Sequence, residues 1–167
     1  MSGNFEQSIH DASYQGKGGA MKLKQINISL ENRHGRLYEV SRALGDLGIN
    51  IRALNLVDSG AFGQLRILVS DWIAARRYLM EKHLPAKIDD VVAVEIEDRP
   101  GSLADMLEHL YNTDVNIQYS YAYVGGTLGN AVMIFSFSDN EEAVKILKEK
   151  NYRILNAEDF GIIESDT

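Results

Sequence analysis

Hydrophobic side chains recur along the chain with two alternating periods. Ile26, Ile28 and Leu30 alternate with polar residues, which is the two-residue period of a half-buried strand. A helical stripe follows at spacings of three and four residues: Leu37, Val40, Leu44 and Leu47. The pattern then predicts strands at 49–57 and 65–69, a helix capped by Asp71, and a short strand at 86–88. The first half of the chain therefore predicts the order βαββαβ.

The second half repeats this order. Segment 31–37 matches 97–103, which lies 66 residues later, and beyond the middle hairpin the offset becomes 68, where Asp71 matches Asp139. The repeat predicts strands at 92–96, 115–124, 131–137 and 152–155, and helices at 103–110 and after Asp139. Because strands and helices are apolar mainly on one side, we predict an α+β fold. It consists of two ferredoxin-like units, each an antiparallel sheet with its helices on one face.

The predicted units, called unit 1 and unit 2 below, span residues 22–89 and 90–167. Residues 1–21 contain few large apolar side chains, so we predict a disordered leader or tag-like tail, either native or vector-derived. Sheets of this kind have open edges, which favours side-by-side pairing of the two units and then a homodimer of the chain.

Composition narrows the classes of function. The chain has 24 acidic and 17 basic residues and a net charge of −7, which disfavours nucleic acid as a partner. It has no cysteine, so thiolate nucleophiles and cysteine zinc sites are excluded. No apolar run has the length of a membrane span and no signal peptide precedes the first strand, so we expect a cytoplasmic protein with no membrane partner.

Nothing in the motifs specifies catalysis. The four histidines have no partner at metal-ligand spacing, and the glycines at 125–129 lie between two strands, where a hairpin turn explains them. No serine has a histidine partner in its sequence context. We therefore expect a non-enzymatic protein without a metal or cofactor.

The strand-to-helix turn, present in both units, is the candidate binding element. Gly35 and Gly101 allow a ligand to approach the backbone, and the free N–H groups of the following helix can bind a carboxylate. Alternatively, glycine only shapes the turn. Arg33 and Arg99 flank these turns, where they neutralise a carboxylate or are simply solvated.

Four amide or carboxyl side chains accompany the turns. Asn32 can donate to a ligand carboxylate, whereas Asp98 would repel it, so unit 1 is expected to resemble an amino-acid site more closely. Asn50 and Asn116 open the second strand of each unit, where an amide can accept from an ammonium group. Capping the turn, or satisfying the preceding helix end, are the alternative roles for these residues. Elsewhere, Tyr119, Tyr121 and Tyr123 share one sheet face, where we expect core packing with hydroxyls at the edge.

The turn motifs resemble those of ACT domains. Residues 32–37 read Asn-Arg-His-Gly-Arg-Leu and precede Gly-Ile-Asn-Ile, while 98–103 read Asp-Arg-Pro-Gly-Ser-Leu and precede Val-Asn-Ile. The resemblance implies regulatory modules that pair side by side and bind a free amino acid between units. Contacts of the serine-sensing ACT domains correspond to Asn32 and Asn50. Serine is not singled out, because His34 replaces the usual proline and Leu30 replaces a histidine of the serine sensor.

The expected function is therefore that of a non-enzymatic regulatory protein with an amino-acid ligand. The expected ligand-binding residues are Asn32, Arg33, His34, Gly35, Asn50, Asp98, Arg99, Gly101 and Asn116. One alternative is a regulatory subunit that contacts an enzyme partner and has vestigial ligand sites. Another is a small enzyme on the same scaffold, since fold alone does not fix function.

Overall fold

The computed structural model describes residues 21–123 and 129–163. The tail predicted at 1–21 lies almost wholly outside the described residues, and so does most of the glycine-rich turn at 125–129. Unit 1 contains β1 (Leu23–Glu31), α1 (Arg36–Asp46), β2 (Ile51–Asp58), β3 (Phe62–Val69) and α2 (Trp72–Glu81). A long strand, β4 (Ala86–Glu97), leads into α3 (Ser102–Glu108), β5 (Ile117–Tyr123), β6 (Asn130–Phe137), α4 (Asn140–Glu149), β7 (Arg153–Leu155) and a short 3₁₀ helix (Glu158–Phe160). The predicted fold class is confirmed, and the elements follow the predicted order except at the junction of the two units.

Strand β4 joins the two units. The sequence predicts separate strands at 86–88 and 92–96, but the structure has one strand of 12 residues, and the predicted unit boundary falls inside it. Its first half pairs with β1 and its second half with β6 and β7. All pairs are antiparallel, and the hydrogen-bonded order is β2-β3-β1-β4-β6-β5, with β7 beside β4.

Each unit has an apolar core between its helices and its part of the sheet. In unit 1 this core includes Ile26, Ile28, Val40, Leu44, Ile67 and Leu79. In unit 2 it includes Val92, Val94, Met106, Phe135, Ala143 and Leu147. The helical stripes and strand alternation seen in the sequence correspond to these two cores, except that Leu47 of the first stripe is 49% exposed and lies outside the core.

A third core lies on the opposite face of the sheet. It combines strand residues of both units, among them Leu23, Leu68, Val91, Val132, Ile134 and Leu155, with Phe160 and Ile162 from the C-terminal segment. The two halves of the sheet therefore pack face to face. The sequence predicts a sheet that is apolar mainly on one side, and the structure differs because each half-sheet covers the other.

A polar cluster lies within this third core. Gln25 is fully buried, and its Nε2 donates to the Tyr119 hydroxyl at 2.8 Å and to Asn27 Oδ1 at 2.7 Å. Its Oε1 accepts from the Tyr121 hydroxyl at 2.7 Å. The three tyrosines of β5 pack against this core as predicted, but these two hydroxyls bond to Gln25 across the half-sheets rather than reach the edge.

Within the described residues, no helix combines the length and apolarity needed to cross a membrane.

Candidate functional site

The first turn of unit 1 leads into α1 without a side-chain cap. Gly35 has φ of +85°, in the left-handed region where a side chain is strained, and its carbonyl accepts from Glu39 N at 2.9 Å. Glycine offers no side-chain acceptor, so within the described chain the N–H groups of Leu37 and Tyr38 have no partner.

The second helix of each unit is capped differently. Asp71 accepts from Ala74 N and Asp139 accepts from Glu142 N, each at 2.9 Å, as the sequence predicts for an N-cap aspartate. The second helix of each unit thus has a side-chain acceptor at its start, which the first helix of each unit lacks.

A cavity of about 440 Å³ adjoins the turn of unit 1; we call it cavity 1. Its apolar wall comprises Leu30, Leu37, Tyr38 and Leu56, and its polar rim comprises Glu31, Asn32, Arg33, His34, Arg36 and Asp58. Four of the sequence-predicted residues, Asn32, Arg33, His34 and Gly35, therefore lie together at one cavity.

Asn32 ties the turn to the β2–β3 hairpin. Its Nδ2 donates to Asp58 Oδ1 at 3.0 Å and to the Gly60 carbonyl at 3.1 Å. Because both amide hydrogens have acceptors, the side-chain oxygen is what remains for a ligand, and it can accept from an ammonium group. The sequence-based role of donor to a ligand carboxylate does not fit these contacts.

Arg36 is a residue of this site that the sequence analysis missed. Its Nη1 donates to Glu39 Oε2 at 2.6 Å, whereas its Nε is buried and has no acceptor in the described part of the chain. Because this nitrogen is inaccessible to a ligand, what Arg36 adds to the cavity is the positive charge of its guanidinium. Arg33 instead pairs with Glu31 at 3.0 Å on the surface.

Unit 2 has the corresponding cavity, of about 420 Å³, which we call cavity 2. Asp98, Arg99 and Gly101 line it, and Gly101 has φ of +91°. Arg99 donates to Glu97 and, at 3.0 Å, to Asp105, and hydrogen bonding to Glu97 raises the pKa of its guanidinium. Among the described residues, the lining of cavity 2 has one arginine against two carboxylates, whereas the lining of cavity 1 has two arginines against two carboxylates. Cavity 2 is therefore less suited to a ligand carboxylate.

Asn50 and Asn116 lie away from both cavities. Their backbone N–H groups donate to Ser70 Oγ and Ser138 Oγ, each at 2.9 Å, and their side chains are exposed. Strand β2 has 8 residues, so at about 3.3 Å per residue Asn50 and the Asp58 end are roughly 26 Å apart. The structure of one chain thus does not bring Asn32 and Asn50 together.

A metal site is not apparent either. No cluster of three or more histidine, aspartate or glutamate side chains within 21–123 and 129–163 is arranged to hold a metal ion.

Residues 21–163 match the family model described as ACT domain pair. The chain belongs to this family. This ACT pair is similar to the solved structure of protein BT0572 from Bacteroides thetaiotaomicron, with 35% identity and a TM-score of 0.79, over 86% of this chain and 98% of that one. No curated protein matches the chain.

The ACT pair also shares its fold with regulatory subunits of aspartate kinase. The ligand-free form from Thermus thermophilus has 17% identity and a TM-score of 0.55, over 77% of this chain and 92% of that one. The subunit from Thermus flavus has 19% identity and a TM-score of 0.53, over 75% and 90%. The resemblance to ACT domains drawn from the turn motifs is confirmed.

The internal repeat of the ACT pair contains the signal for the residues that were missed. Aligned at 66 residues, Arg36 corresponds to Ser102 and Tyr38 to Ala104, although the surrounding turn motifs match. Ser102, like Arg36, has a buried polar atom without a partner among the described residues. Positions at which the two otherwise matching turns differ therefore indicate the additional residues that line the cavities.

Proposed function

We propose that this ACT pair is a non-enzymatic regulatory protein that binds a free amino acid in cavity 1. The observation that carries the proposal is the first turn of α1 at cavity 1, where the N–H groups of Leu37 and Tyr38 lack acceptors in the described chain. An α-carboxylate supplies acceptors for these donors and gains from the helix dipole. The cavity also has the volume typical of small-ligand sites.

The ammonium group of the ligand is bound on the other side of the cavity. The amide oxygen of Asn32 is one acceptor, and Asp58 contributes negative charge beside it. Placing the carboxylate at the helix start and the ammonium at the hairpin matches both charges of a zwitterion.

A second copy of the chain completes the site in this proposal. Strand β2 stands at the end of the strand order, so its outer edge is available for pairing. If two β2 strands pair antiparallel about a two-fold axis, the start of one lies beside the end of the other. Asn50 of the second copy then lies near Asn32 of the first, so the amino acid is bound between copies in this proposed homodimer.

The alternative function is that of a subunit that regulates an enzyme through protein contact and has vestigial ligand sites. Exposed apolar side chains on β2 favour it, since Leu54, Leu56 and Val57 are 41%, 45% and 44% exposed. Contiguous exposed apolar residues commonly mark interaction surfaces.

A thermal-shift screen of the twenty amino acids tests the proposal. A ligand present at 100 times its Kd stabilises the folded state by about 2.7 kcal/mol, which raises Tm by several degrees. We expect a raised Tm with at least one amino acid. A flat response to all twenty at millimolar concentration would contradict amino-acid binding and support the contact function.

A further inference from the structure

We propose that cavity 1 selects an amino acid with a large apolar side chain, aliphatic or aromatic. This inference rests on the proposed function and adds the class of ligand. It comes from a difference between two cavities that occupy the same place in two copies of the same fold.

Two large apolar residues of cavity 1 are replaced by alanine in unit 2. At the 66-residue offset, Tyr38 corresponds to Ala104 and Leu56 to Ala122. Tyr38 is 70% exposed and Leu56 is 45% exposed, so neither is held in place by burial in the core. Because unit 2 forms the same turn and strand with alanines, the fold does not require large side chains at these positions.

The two residues lie on opposite walls of one cavity. Tyr38 is on the first turn of α1, and Leu56 is on β2, where it is paired with the buried Leu65 and therefore faces the helix side of the sheet. The buried Leu30 and half-buried Leu37 lie in the same lining. An apolar ligand side chain between these walls would remove their exposed surface from water, which is the dominant favourable term in such binding.

The charged groups at the rim are paired with other groups of the protein. Glu31 pairs with Arg33 at 3.0 Å, and Arg36 pairs with Glu39 at 2.6 Å. Asp58 Oδ1 accepts from Asn32 Nδ2 at 3.0 Å and from Gly60 N at 2.8 Å. Arg33 and Arg36 are thus neutralised by glutamates, and in the proposed site the charge of Asp58 faces the α-ammonium group. A charged ligand side chain would lose its water without gaining a further partner of opposite charge, so lysine, aspartate and glutamate are disfavoured.

Calorimetric titration of the full chain with single amino acids tests the class of ligand. Leucine, isoleucine, valine and phenylalanine are the apolar probes, and serine, threonine, lysine and aspartate are the polar probes. We expect the tightest apolar probe to bind at least about tenfold more tightly than every polar probe, which is the discrimination that a few methylene groups provide.

Two variants test whether Tyr38 and Leu56 cause the preference for apolar ligands. Tyr38→Ala and Leu56→Ala each introduce the residue of unit 2, and each is expected to weaken the tightest apolar probe by about tenfold, with less effect on the weakly bound polar probes. Leu47→Ala is the matched control, because Leu47 is 49% exposed and lies outside the cavity 1 lining. Light scattering on each variant shows whether the oligomeric state is unchanged. Because Tyr38 lies on a helix, Tyr38→Ala tests the cavity without altering the β2 edge.

The outcomes separate this inference from the proposed function. If a polar amino acid binds most tightly, the proposed function stands and the inference is overturned. If an apolar amino acid binds most tightly but neither variant weakens it, cavity 1 is not the selective element and the inference is again overturned. If none of the twenty amino acids binds, the proposed function itself fails.

Discussion

Gln25 is a polar side chain whose partners come from the other half of the molecule. The tyrosines that bond to it belong to β5, more than 90 positions along the chain. Buried polar groups cost free energy unless they are hydrogen-bonded, and here the amide and both hydroxyls satisfy one another. The cluster therefore favours one arrangement of the two half-sheets over others that would leave these groups unpaired.

Tyr121 makes the stability of this arrangement depend on pH. Burial raises the pKa of its hydroxyl well above the ordinary value of 10.0. Above that ordinary value the unfolded chain loses the proton while the folded chain keeps it, so the free energy of unfolding falls as pH rises, by up to about 1.4 kcal/mol per pH unit. Urea titrations between about pH 9 and pH 11 measure this slope. The slope should be smaller in Tyr121→Phe, and equal slopes in the two proteins would contradict the assignment.

Asn50 and Asn116 are equivalent in sequence but are expected to differ in function. If the ligand lies in cavity 1 of a dimer, Asn50→Ala removes a hydrogen bond to a charged ligand group. Such a bond is worth roughly 1.5 to 3 kcal/mol, so affinity should fall about tenfold or more. Asn116→Ala should matter less and serves as the matched control in calorimetric titration. The reverse result would assign the ligand to unit 2, with Asp98 as the acceptor of its ammonium group.

The turn motif predicted which residues lie together at the candidate site, and their role as ligand contacts stays a prediction. Asn32, Arg33, His34 and Gly35 lie at cavity 1 as expected from their position before the helix. The partner of Asn32 was not predictable, because Asp58 follows 26 residues later and only the folded hairpin brings it within hydrogen-bond distance. In physical terms, residue type and spacing determine which groups a turn presents, and tertiary packing determines which of them remain free.

Helix caps contribute to stability one element at a time. Asp139→Ala removes the acceptor for Glu142 N and should lower the free energy of unfolding by about 1 kcal/mol. Asp46→Ala is the control, because Asp46 lies in the last turn of α1 and makes only an exposed ion pair with Arg42, which is worth little. Urea denaturation of both variants makes the comparison. Similar losses in the two proteins would show that the cap contributes nothing beyond a surface charge.

Strand β4 shows why element boundaries were harder to predict than element types. Asp89 and Asp90 interrupt the apolar pattern between the two predicted strands. In the structure Asp90 pairs with Lys24 at 2.6 Å and Asp89 accepts from Asn27, both on the neighbouring β1. The aspartates are thus paired within the sheet, and the strand continues through them. Next to them, residues 91–94 are buried on both faces of the sheet. Such a segment is continuously apolar and does not show the alternation of polar and apolar residues by which a strand is recognised.

The packing of the two half-sheets could not be derived from either unit alone. Each unit predicts one buried and one polar sheet face, and the repeat itself was readable at a fixed offset. The third core depends on residues such as Leu68 and Ile134 that come from different units and meet only in the folded chain. Fold class was therefore predictable from local pattern, whereas the mutual arrangement of the units depended on contacts between distant segments.

The association of two chains is expected to use strand β2. On the helix side of the sheet, β2 exposes Leu54 and Leu56, whereas the corresponding residues of β5 are Ser120 and Ala122. Strands β2 and β5 end the sheet order. Burial of exposed apolar side chains in an interface therefore lowers the free energy more at β2 than at β5. We expect light scattering at micromolar concentration to report a homodimer.

The pairing that brings Asn50 of one copy to Asp58 of the other also fixes the centre of the interface. In an antiparallel two-fold arrangement the midpoint of these positions, Leu54, lies opposite itself. Leu54→Lys places two ammonium groups in that position, where like charges directly opposite each other are destabilising, so the variant should be a monomer. Ser120→Lys, at the equivalent position of β5, should leave the mass of the dimer unchanged. If Asn50 of the second copy completes the ligand site as proposed, the monomeric variant should also lose amino-acid binding. A dimer that survives Leu54→Lys would place the interface elsewhere.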